Sequence, residues 1–122
     1  TFEDAILLTQ IAQRKGVSVR DIAQNSGRDV ASLSRQSTRL EARGWLIKKR
    51  SASDARLCTM NVTQRTMDAL PSINETIERV IGECVEGLSV SERKELVRML
   101  FIVNDKIASL RLLTQASEKN LE

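Results

Sequence analysis

The sequence has no histidine and no tyrosine, and its only cysteines are Cys58 and Cys84. That inventory excludes imidazole acid/base chemistry, Ser-His-Asp triads, Cys-His pairs and the usual zinc sites, so neither an enzyme nor a cofactor or metal is expected. Two isolated cysteines argue for the reducing cytoplasm rather than a disulfide-stapled secreted protein. No apolar run approaches the roughly 18 residues that a bilayer span needs, and Thr1 to Ile11 lacks the basic-apolar-small order of a signal peptide, so no membrane partner is expected. Breakers are scarce too. One proline, Pro71, and five glycines are too few for an all-β sandwich or barrel and natural for a mainly α chain.

Of 122 residues 41% are hydrophobic, enough for one small domain but not for two independent ones. The net charge of +3 is unevenly spread: residues 1–62 hold 11 Lys/Arg against 6 Asp/Glu, residues 63–122 hold 8 against 10. The basic excess concentrates between Arg28 and Arg56, where a local basic patch suits an anionic partner, nucleic acid first.

Thr1 and Asp4 are placed to cap a first helix that Gly16 stops. Ser18 opens a short second helix ended by Gly27, and Asp29 opens a third that runs through Arg43 to a terminating Gly44. The third helix has a thin apolar line, Val30, Leu33 and Leu40, and is otherwise polar, so most of its surface is free for contact. Short helix, tight turn and polar helix make a helix-turn-helix pattern. Trp45 to Arg50 and Arg56 to Val62 read as two strands, with Cys58, Met60 and Val62 on one face, joined by a polar loop from Ser51 to Ala55.

Thr63 caps a fourth helix whose Leu70, Ile73, Ile77, Val80 and Cys84 follow 3-4 spacing, with a kink or a break expected at Pro71. Ser89 to Glu92 is a capping box for a last helix from Ser91 to about Gln115, seamed by Leu96, Leu100, Val103, Ile107 and Leu110, after which Ala116 to Glu122 frays. One narrow seam per helix does not make a core within one chain. A second copy is the simplest partner, and an antiparallel pair inside the chain is the alternative.

The order Ser34-Arg35, Arg39-Leu40-Glu41-Ala42-Arg43-Gly44-Trp45-Leu46-Ile47, Ser53-Asp54-Ala55-Arg56 and Val62-Thr63 resembles the MarR/SlyA family of bacterial transcription regulators, over roughly residues 2 to 113. The resemblance implies a mainly α winged helix-turn-helix with a small β-ribbon wing and long C-terminal dimerisation helices. Residues 1–62 then form the DNA-binding part and 63–122 the helical dimerisation part, with the helices of one compact chain shared in a homodimer. It also implies recognition helices in consecutive major grooves of a pseudo-palindromic operator, wings in the flanking minor grooves, repression of transcription, and release by a small aromatic effector. Two departures stand out. Ala55 occupies a position where many members carry a second basic wing residue, and the chain begins at what matches the family's second helix, so dimerisation is expected to rest on the last two helices or on upstream residues outside this numbering.

The residues expected to carry DNA binding are Ser32, Ser34, Arg35, Arg39, Lys48, Lys49, Arg50, Asp54 and Arg56. An arginine fork on a groove-bound helix reaches guanine O6 and N7, which suits Arg35, while serines such as Ser32 and Ser34 let the helix approach and bond a base edge or phosphate. Arg56, steadied by Asp54, fits the negative potential of a narrow minor groove. Lys48, Lys49 and Arg50 are expected on phosphates. For Arg39 the competing role is electrostatic support near the helix C-terminus. The alternative function is a protein-interaction module whose basic patch docks an acidic partner, although residues 30–43 offer no aromatic anchor. Both cysteines lie on apolar faces without flanking cations and read as small packing residues. Trp45, Phe2 and Phe101 are likewise expected to pack.

Overall fold

The computed structural model describes residues 1–54 and 57–121; at positions 111, 112, 114–116 and 118–121 only the backbone is described. The first helix, α1 (Phe2–Gln13), starts at the expected capping box between Thr1 and Asp4, which satisfies two otherwise orphaned donors. A two-residue strand, β1 (Val17–Ser18), leads directly into α2 (Val19–Ser26), whose N-cap Ser18 accepts the Asp21 N–H at 3.0 Å. α2 closes on Gly27 at φ 70°, a left-handed conformation that costs glycine nothing. After this tight turn comes α3 (Val30–Ala42), capped by Asp29, and Gly44 at φ 81° turns the chain into β2 (Leu46–Arg50). A hairpin returns as β3 (Cys58–Val62), and two long helices follow, α4 (Gln64–Cys84) and α5 (Val90–Leu121).

The three strands form an antiparallel sheet in the order β1-β3-β2, with Met60 opposite both Val17 and Lys48. Sequence pattern does not reveal β1, because two residues are too few to alternate. Its place on β3 is fixed by burial of Val17 and by the Gly16 N–H donated to Asn61 Oδ1 at 2.9 Å. Leu7 and Ile11 of α1, Ile22 of α2, Leu33 and Leu40 of α3, and Leu46 and Met60 of the sheet form one buried cluster. Side chains of this size stabilise by about 1.5 to 3 kcal/mol each when fully buried. Trp45 packs against the cluster as expected.

By internal contacts the chain divides into residues 1–81 and 82–122. The first unit is a winged helix-turn-helix: two helices and a tight turn, a polar third helix, and a β hairpin. In it α4 continues as one helix through Pro71, so of the kink or break expected there no break occurs. The ring removes one N–H from the ladder, which a long helix survives. Ile73 of α4 packs on the core.

In the second unit α5 spans 32 residues, helical through Leu121 where fraying was expected from Ala116. Its Ser89–Glu92 capping box forms as expected, at 2.8 and 3.1 Å. Among its described side chains none is buried; Leu100, Val103 and Leu110 of the seam are more than half exposed, and so is Phe101, which does not pack within the chain. Among the described residues no helix is long and apolar enough to cross a membrane.

Candidate nucleic-acid interface

The buried side of α3 is Leu33, Gln36, Ser37 and Leu40. At about 100° per residue, the face opposite that line presents Ala31, Arg35, Thr38 and Ala42, and all four are exposed. Arg35 therefore stands at the centre of the outward surface. The other expected α3 contacts divide between its edges, with Ser32 and Arg39 along one and Ser34 along the other, beside Glu41. Both serines are half-buried. Ser32 is further tied at its backbone, whose N–H caps on the Asp29 carboxylate at 2.9 Å. Thr38 was not among the residues expected to bind; its signal was a position one turn after Arg35 on the same polar face.

Strand alternation separates the three wing cations. Lys48 and Arg50 share the face that meets α3, whereas Lys49 points the other way. Lys48 Nζ donates to Thr38 Oγ1 at 2.9 Å and to the Ser34 carbonyl at 3.4 Å, and its backbone N–H donates to Glu41 Oε2 at 2.6 Å. Lys48 is thus held against α3, and Glu41 braces the hairpin to it. Between them lies a cleft of about 440 Å³ lined by Ser34, Thr38, Glu41, Lys48, Arg50 and Cys58. The absence of cations around Cys58 in sequence does not carry into space, because Arg50 faces it across the ladder and Lys48 shares its cleft. Both thiols are free, and Cys84, expected on an apolar packing face, is exposed.

At the start of the wing loop Ser51 Oγ accepts the N–H groups of Ser53 and Asp54 at 3.2 and 3.3 Å. Asp54 is exposed there, and its carbonyl accepts the Leu57 N–H at 3.0 Å. The expected partner Arg56, and Ala55 before it, lie outside the described residues.

Arg39 turns back toward the first helix. Its Nη2 donates to Asp4 Oδ1 at 2.8 Å, and Gln36 Nε2 donates to the same oxygen at 2.8 Å. Burial pushes the Asp4 carboxyl up, but hydrogen bonds from Gln36, Thr1 and Arg39 outweigh it and bring the pKa down to about 2. Gln36 Oε1 is buried without a partner, so the bond to Asp4 is what orients this amide. Sequence reading took Asp4 as a cap only; nothing in the spacing of residues 4, 36 and 39 announces that they meet.

At the other end of α3, Arg65 from the start of α4 donates to the Arg43 carbonyl at 2.6 Å and stacks 3.9 Å above the Trp45 ring. The Trp45 carbonyl accepts from Thr66 Oγ1 and from the Thr63 N–H. These contacts tie the base of the long helix α4 to the end of α3. Taken together, the first unit holds a polar helix with exposed Arg35 on its outer face and a basic hairpin braced beside it.

Residues 4–58 match the family model described as MarR family. Over 104 residues the chain is 24% identical to YdgJ of Bacillus subtilis strain 168, an uncharacterized HTH-type transcriptional regulator, covering 85% of this chain and 63% of that protein. Over 98 residues it is 28% identical to the HTH-type transcriptional regulator BilQ of Clostridioides difficile strain CD3, covering 80% of this chain and 66% of BilQ. The chain thus spans slightly less than two thirds of the length of either relative. Among solved structures, a Listeria monocytogenes protein assigned to the MarR family and complexed with 26mer DNA superposes with a TM-score of 0.77, at 23% identity, over 90% of this chain and 73% of that one.

Proposed function

We propose that this chain, a member of the MarR family over its residues 4–58, binds duplex DNA sequence-specifically and regulates transcription as a repressor. The observation that carries the reading is the outward face of α3, where exposed Arg35 stands beside Thr38 and the Lys48 ammonium docks on that threonine. An exposed polar helix with a guanidinium at its centre suits the major groove, whose base edges offer guanine O6 and N7 to a forked donor. Arg35 and Thr38 read bases in this account, Ser32 and Ser34 allow close approach, and Lys49 and Arg50 contact phosphates. Lys48 contributes from the edge of α3 rather than from the wing surface. Asp54 and Arg56 serve the minor groove.

The regulator works as a homodimer, with residues 1–62 on DNA and 63–122 supplying the contact between copies. Support comes from α5, whose apolar residues stay exposed in the single chain, more than a solvated helix of a monomer would carry. Release by a small aromatic effector, and action in the cytoplasm, follow from the family reading. Support against a protein-docking role is the lack of any aromatic residue in α3.

Fluorescence anisotropy with a labelled random duplex at low salt tests the reading. Saturable binding whose logarithm falls linearly with the logarithm of salt is expected. No binding at any salt concentration would favour the protein-docking module instead.

A further inference from the structure

One buried carboxylate joins the first helix to the recognition helix. Asp4 is 7% exposed, and its Oδ1 accepts from both Gln36 and Arg39, which lie three residues apart on one side of α3. Arg39 gives this contact one N–H of the five that a guanidinium carries, and its side chain is 53% exposed. No second partner of Arg39 occurs among the described residues, so the rest of the fork faces solvent at the edge of the outward face. Arg35 stands one turn earlier on the same stripe, where two like charges repel. The Asp4 carboxylate offsets that repulsion and pins one end of the second cation.

We propose that Asp4 is a positioning residue for DNA recognition: from behind α3 it fixes the plane of the Arg39 guanidinium, so that Arg39 and Arg35 present an oriented pair of forks to the duplex. The proposal rests on the DNA-binding reading above. A phosphate contact carries no sequence information, and the point charge of a lysine can make it. A base contact needs the plane of the fork, and a side chain already held by a buried partner gives up less freedom on binding.

The test compares affinity for a duplex selected by the wild-type protein with affinity for a scrambled duplex of equal length and salt. Asp4→Asn should lose about tenfold on the selected duplex, the middle of the range for charged groups in one network, and less than about twofold on the scrambled one. Arg39→Lys, which keeps the charge but lacks the fork, should show the same selective loss. In an Arg39→Gln background Asp4→Asn should add nothing. Tighter binding of both duplexes by Asp4→Asn would overturn the proposal, since Asp4 would then be withholding Arg39 from DNA.

If Asp4→Asn does not fold, as read by circular dichroism, Arg39→Lys at its half-exposed position decides alone, and full specificity in that variant rejects the positioning role. Wild-type protein that binds no duplex at low salt sinks the DNA-binding reading itself. Wild-type protein that binds with specificity while Arg39→Lys does the same sinks only the role given to Asp4.

Discussion

Arg39 Nη2 lies 2.8 Å from Asp4 Oδ1, a contact between residues 35 apart in the chain that ties α3 to α1. The same oxygen takes a second donor from Gln36. A carboxylate so placed has consequences for folding that can be measured apart from DNA.

The Asp4 pKa is about 2 in the fold against 3.8 ordinarily, so the folded state binds its proton less readily than the unfolded chain. Its stabilisation is complete above about pH 4 and is lost as pH falls toward 2. Urea unfolding at pH 7 should show Asp4→Asn less stable by about 1.5 to 3 kcal/mol, the range for hydrogen bonds to a charged group. The gap between wild type and variant should close at about pH 2. A gap that persists unchanged to that pH would show that the carboxylate charge plays no part.

Arg35→Ala should weaken binding to a selected duplex by about 1 to 3 kcal/mol and relax the preference at one base position. Lys49→Ala should weaken selected and random duplexes alike and reduce the salt slope by about 1. Equal effects of both substitutions on both duplexes would contradict the division between base and phosphate contacts.

Trp45 is the sole tryptophan, so its emission reports on the joint between α3 and α4. Arg65→Met removes the guanidinium stacked 3.9 Å from the ring and the donor to the Arg43 carbonyl. A shift in emission and a loss of about 1 to 2 kcal/mol are expected, from one exposed cation–π contact and one hydrogen bond. Unchanged fluorescence and stability would mean that the stack is not kept in solution.

Leu100 lies on the α5 seam and is 57% exposed in the single chain. If a second copy covers it, Leu100→Asp places an unpaired charge in that contact. Sedimentation should then show a dimeric wild type and a monomeric variant with unchanged helix content. A monomeric wild type at micromolar concentration would remove the dimer from the account.

Much of the winged helix-turn-helix unit was legible in sequence because its signals are local. Caps at Ser18 and Asp29, the left-handed glycines at positions 27 and 44, and the alternation of Cys58, Met60 and Val62 each act within a few residues and formed as read. What sequence did not show is tertiary. β1 exists only because Val17 finds Met60 across the chain, and the Asp4 clamp needs two helices to be packed before its residues meet. Lys48 looked like one of three equivalent wing cations, but the pleat turns it toward α3 and leaves Lys49 on the other side. Pro71 signals a kink or a break locally, yet α4 runs through it as one helix.

Selection of bound sequences from random duplex DNA, with the salt dependence of the winning site measured alongside, tests the central claim most directly. The account predicts a pseudo-palindromic consensus with half-sites about one helical turn apart, and an affinity that falls with salt yet keeps its preference over random duplex. Binding that enriches no sequence, or a single undivided half-site, would contradict it.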